Sequence, residues 1–127
     1  MLTSAEFGRL LCALLTGSLP AGVSLIAHDD RVDVVTPGGD VYSTALGDLD
    51  APETEPDDYA DAAWNVLSLV QDVVCESTGR AWPGDARDVE DVPDVGTQVT
   101  GDLLQCWYGD EAQPVLRLAP MRLLPER

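Results

Sequence analysis

Hydrophobic positions change period along this chain, and each change marks a predicted element. Across residues 3–16, Phe7, Leu10, Leu11, Leu14 and Leu15 recur at three- and four-residue intervals, the mark of an amphipathic helix. Thr3 with Glu6 three positions on predicts a capping box, and Gly17 ahead of Pro20 predicts a left-handed stop. From Gly22 the period falls to two. Val23, Leu25 and Ala27 alternate with Ser24, Ile26 and His28, and Asp29 with Asp30 turns the chain into a second strand over 31–36. Pro37-Gly38-Gly39 forms the next turn, and Val41, Tyr42 and Thr44 predict a third antiparallel strand within 40–46.

The helical period returns after residue 56. Ala60, Ala63, Leu67, Val70 and Val74 form one stripe, widened by Val66, Leu69 and Val73, so a long helix is expected to about Thr78. Thr54 or Glu55 caps it, Pro56 suits its first turn, and Gly79 ends it before Trp82-Pro83-Gly84. Order resumes near Val99. Residues 103–108 and 115–119 then predict a terminal hairpin, with Pro114 at a strand start, followed by an apolar tail of Met121, Leu123 and Leu124. That tail either covers the core or meets another subunit.

The element order is α-β-β-β-α-β-β. Short turns within each strand group, and no alternating crossover helices, predict an α+β fold: one antiparallel sheet of about five strands with two helices on one face. Residues 1–127 fit a single domain, interrupted by acidic connections at about 48–58 and 85–96. This order resembles that of small acidic secretion chaperones and related regulatory domains. No motif residue carries the resemblance, and it transfers no site.

Charge changes the picture in one respect. Twenty-three Asp and Glu stand against seven basic residues, all of them Arg, for a net charge of -16. Such a balance repels phosphate backbones and anionic headgroups, so nucleic acid and membrane surfaces are not expected partners. Residues 48–61 alone carry seven acids and no base, and eleven of the sixteen net charges fall in 48–61 and 85–96. Placed in Pro-containing connections, these acids favour solubility and steering toward basic protein surface over phosphate mimicry. Cys12, Cys75 and Cys106 are odd in number and set among apolar residues, as buried free thiols of a cytoplasmic protein are. Residues 1–19 include Glu6 and Arg9 within their apolar stretch, unlike a secretory leader.

Catalytic signatures are sparse. His28, the one histidine, lies at a strand end beside Asp29 and Asp30, without a nucleophile motif, and is read as a turn residue. Pro37-Gly38-Gly39 reads as a turn and not a phosphate loop, and neither acidic cluster has calcium-loop spacing. No cofactor or metal ligand set is expected. The most distinctive local feature is Arg80, Trp82 and Pro83 after the long helix, where Trp82 acts either as a recognition aromatic or as a lid on the core. With Leu103, Trp107 and Tyr108 on the terminal hairpin, these residues form the candidate interaction surface: Arg80, Trp82, Leu103, Trp107 and Tyr108, joined by Trp64 if the fold allows. The expected role is a protein-interaction module of chaperone, immunity or adaptor type, homodimeric through the terminal hairpin or tail. The alternatives are a small enzyme using carboxylates such as Asp29, Asp33 or Asp102, and an acidic mimic of nucleic acid.

Overall fold

A computed structural model describes residues 1–84 and 92–124. In chain order they form α1 (Ser4–Thr16), β1 (Ser24–Ala27), β2 (Arg31–Val35), β3 (Val41–Ala45), α2 (Pro56–Thr78), β4 (Val95–Thr100), β5 (Leu103–Gly109), β6 (Pro114–Arg117) and β7 (Met121–Arg122). The class is α+β with antiparallel pairing throughout. The strands divide differently from the expectation. Instead of one five-stranded sheet there are two, β1-β2-β3 and β4-β5-β6, with β7 pairing β5 beside β6.

Helix α2 separates and joins them. It is buried along nearly its whole length through Tyr59, Ala62, Ala63, Val66, Leu67, Val70, Val73 and Val74, and it packs against β2 and β3 of the first sheet and β4 and β5 of the second. Helix α1 covers the remaining inner face of the first sheet at β1 and β2 through Phe7, Leu11 and Leu15. One continuous core results, with Val32 and Val34 from one sheet and Leu104, Cys106 and Tyr108 from the other. Buried apolar side chains of both sheets thereby share the same helix.

The helix ends show which local signals were sufficient. Thr3 Oγ1 accepts from the Glu6 N–H at 3.1 Å while Glu6 Oε1 accepts from the Thr3 N–H at 2.9 Å, completing the predicted box. At α2, the Asp58 carboxylate accepts from the Glu55 N–H at 2.8 Å, and Gly79 takes the left-handed conformation (φ 70°) that closes the helix. Gly17 departs from expectation: its φ is -66°, because the chain continues into a further turn in which Ser18 N–H donates to the Leu15 carbonyl.

The terminal half gains a strand that polar residues conceal in the sequence. Residues 95–100 pair fully with β5, from Val95 opposite Tyr108 to Thr100 opposite Leu103. Two of the three apolar tail residues cover the core: Met121 and Leu123 are buried, and the Leu2 N–H donates to the Leu123 carbonyl at 2.8 Å, while Leu124 is exposed. Of the second acidic connection, residues 85–91 lie outside the described residues; at its far end Pro93 and Asp94 are tied down by Gln71 Nε2 (2.6 Å to the Pro93 carbonyl) and the Gly109 N–H (2.7 Å to the Asp94 carbonyl).

Candidate functional site

The first acidic connection is fitted to the body. Between β3 and α2, Leu46 and Leu49 are buried, the Leu46 N–H donates to the Asp30 carbonyl at 2.9 Å, and Thr54 binds the carbonyls of Ala51 and Asp48 through its N–H and Oγ1. Asp50 accepts from the Ser4 N–H at 3.0 Å, and the Tyr59 hydroxyl donates to the Leu2 carbonyl beneath it. These bonds hold the backbone of a segment that carries seven acids, with no Arg or Lys between Arg31 and Arg80 in the sequence, and Asp30 beside it pairs with Arg31 at 4.0 Å. Asp48, Glu53, Asp58 and Asp61 border an open depression of about 540 Å³, and Asp29, Asp30, Asp48 and Asp50 border an adjoining one of about 420 Å³. Two acidic segments far apart in sequence, the β1–β2 turn and the β3–α2 connection, thus form one anionic face. Among the described residues no group of His, Cys, Asp and Glu is arranged to hold a metal ion.

Beside it lies the outer face of the first sheet. The pairing of Ser24 with Val35 and Val35 with Val41 sets one row, Ile26, Asp33 and Ser43 the next, and Arg31 with Ala45 a third. Side chains alternate faces in a strand, so these residues all point away from the helices. Ile26 and Val41 are 47% and 57% exposed, whereas Asp33 is only 8% exposed on the same surface. Its carboxylate is enclosed by partners: His28 Nε2 at 2.8 Å on Oδ2, with the Ser43 hydroxyl at 2.5 Å and Arg31 Nε at 3.3 Å on Oδ1. The Ser43 hydroxyl, with His28 and Arg31, holds the Asp33 carboxyl below its ordinary pKa against the opposing pull of burial.

Position within this trio decides its chemistry. His28 engages Asp33 and not the neighbouring Asp29 or Asp30, and the hydroxyl and the imidazole both bind the carboxylate. A hydroxyl nucleophile needs the imidazole between itself and the acid; here the acid stands in the middle. The network fastens β2 to β3 and to the β1–β2 turn. Nor do the carboxylates considered for catalysis converge: Asp29 borders the anionic face, Asp33 sits on the outer sheet face, and Asp102 lies in the β4–β5 turn of the other sheet, where its carbonyl accepts from the Leu123 N–H.

The aromatic candidates are separated by the fold. Tyr108 is buried, with its hydroxyl donating to the Leu67 carbonyl at 2.7 Å, and burial raises its pKa. Trp82 packs edge-on against the Tyr108 ring, 5.2 Å between centroids and 70° between planes, so these two meet as a lid over the core. Trp107 points to the opposite face with Leu103, which is half-buried, yet is itself 7% exposed. Its indole crosses Gly96 on β4 so closely that a Cβ there would stand 2.3 Å from Cε2, and the Arg117 guanidinium lies 5.2 Å from its ring centre. Arg80 is exposed at the end of α2 and borders a shallow groove with Trp82 and Pro20. Trp64 stands 48% exposed on the outer side of α2. The residues that do come together, the acids of two connections and the aliphatics of one sheet face, were not singled out by sequence motif; the period-two placement of Ile26 opposite Leu25 and Ala27 was the available signal.

Cys12, Cys75 and Cys106 are buried and unpaired, and burial raises the Cys12 and Cys106 thiols to about 11 and about 12, so neither is a ready nucleophile. No described helix is long and apolar enough to cross a membrane. Compared with family models, curated proteins and solved structures, the chain finds no match.

Proposed function

We propose that this protein is an interaction module that holds a protein partner of basic surface, within the reducing cytoplasm. One observation carries the reading: the backbone of residues 48–55 is pinned by the burial of Leu49 and the bonds of Thr54 and Asp50, and five of the seven acids of residues 48–61 (Asp48, Asp50, Glu53, Asp58 and Asp61) border a face joined to Asp29 and Asp30. Fixed like charges repel one another at a cost to the fold, and a cationic partner relieves that repulsion while being steered to the site. The three unpaired thiols support a reducing location. The test is capture from native extract by the immobilised chain, compared with a variant carrying Asp48→Asn, Glu53→Gln, Asp57→Asn and Asp61→Asn. Partners held at low salt, released at high salt and lost by the variant support the reading; partners retained equally by the variant sink it.

The same pinning favours a second reading, mimicry of nucleic acid toward a DNA-binding partner. That role requires acids fixed at regular spacing on ordered elements; Asp57, Asp58 and Asp61 on the first turns of α2 and Asp50 on the Ser4 N–H support the ordered part of that requirement. Release of the captured partner by duplex DNA, at constant ionic strength, separates the two.

A further inference from the structure

We infer that the outer face of the first sheet receives a short partner segment carrying aliphatic side chains followed by arginines. The inference rests on the basic-partner reading above and names where the segment lies. An antiparallel sheet with one solvent face ordinarily carries polar residues there. On this face Val35, Val41 and Ile26 are aliphatic, and the packed helices all lie on the opposite side. The centre is prepared for dehydration: Asp33, the charge that burial would strand, already holds His28, Ser43 and Arg31, so covering the face leaves no unpaired carboxylate.

Charge sets the direction and the occupant. Proceeding from the row of Val35 and Val41 to that of Arg31 and Ala45, the sheet face runs into the depression bordered by Ala45, Asp29, Asp30, Asp48 and Asp50. Four residues of strand separate the two rows, about 13 Å, the reach of a four- to five-residue extended segment. Arg31, the cation on this face, is already turned to Asp33 and Asp30. A second copy docked through this same face would therefore bring acids against acids with its Arg31 already engaged, whereas a segment with aliphatics over Ile26 and Val41 and arginines over the anionic end is complementary at both ends.

Two synthetic probes test this on the full ¹⁵N-labelled chain: a peptide of four aliphatic residues followed by four arginines, and tetra-arginine alone. The expected result is about tenfold tighter binding of the first, amide shifts at residues 24–26, 35, 41 and 43, and about tenfold loss of that advantage in Ile26→Thr/Val41→Thr. Equal affinities, with shifts confined to residues 29–30 and 48–61, overturn the inference and leave the basic-partner reading standing. Binding of neither probe at low salt overturns both. A concentration-dependent dimer abolished by Ile26→Thr/Val41→Thr assigns the face to a second copy and also overturns the inference.

Discussion

The two sheets pack on the same helix and finish their outer faces in opposite ways. In the second, Trp107 lies across Gly96 with Arg117 over it, so that a large aromatic pointing away from the core is nonetheless buried. In the first, the corresponding surface carries Ile26 and Val41 in the open, around a carboxylate that is closed off by its own partners. A glycine facing an aromatic across a strand pair is a way of covering backbone with side chain from within the sheet. The difference teaches where stability is stored and where surface is left free: Trp107 belongs to the fold, Ile26 and Val41 do not.

Deleting the two kinds of side chain breaks the comparison most directly. Trp107→Ala is expected to cost about 3 kcal/mol in urea unfolding, while Ile26→Thr and Val41→Thr each stay within about 0.5 kcal/mol; equal losses would dissolve the contrast. Gly96→Ala comes next, at about 2 kcal/mol, because the new methyl drives into the indole. In a Trp107→Ala background the same change should become neutral or favourable, since the clash is gone and alanine restricts the unfolded chain more than glycine.

Asp33 sharpens the contrast through pH. Its folded pKa lies below its ordinary 3.8, so its stabilisation is fully present above that value and is lost as pH falls through the folded pKa. Asp33→Asn should therefore be less stable than the native chain at neutral pH, with the gap closing below pH 3.8. A gap independent of pH would show that the network acts through shape alone. The smallest effect is expected at Ser68, whose hydroxyl oxygen is buried in α2 without a hydrogen-bond partner. Ser68→Ala removes that orphan and adds helix propensity, and should leave stability unchanged or raise it by about 0.5 kcal/mol.

Most local signals were readable, Gly17 being the exception, and non-local ones were not. Thr3 with Glu6, Glu55 with Pro56, and Gly79 define helix ends because capping involves neighbours within a turn. The division into two sheets depends on which strands meet after α2 is in place, and period-two alternation carries no such information. Strand β4 was hidden because Gly96, Thr97 and Gln98 break the apolar alternation; Gly96 is there for Trp107, a partner eleven residues away. At the candidate site, Asp and Pro made residues 48–55 resemble a free connection. Leu49 and the hydroxyl of Tyr59 undo that impression, yet nothing in their spacing announces what they bind. Trp107 shows the converse error: aromatic character indicates value, and only the opposing strand tells whether that value is structural.

The bond between Leu2 and Leu123 has a consequence in time. It ties the segment ahead of the first helix to a segment that leaves the ribosome more than a hundred residues later, and Leu123 is also held by Asp102 of the second sheet. The helix α1 and the first three strands are local enough to assemble early, and the lead-in to α1 already meets Asp50 and Tyr59, but its backbone bond to Leu123 forms only once the far end of the second sheet is present. Among the described residues that bond is the most non-local of the fold's backbone contacts, a closure that joins the two sheets' halves of the chain only after both are in place.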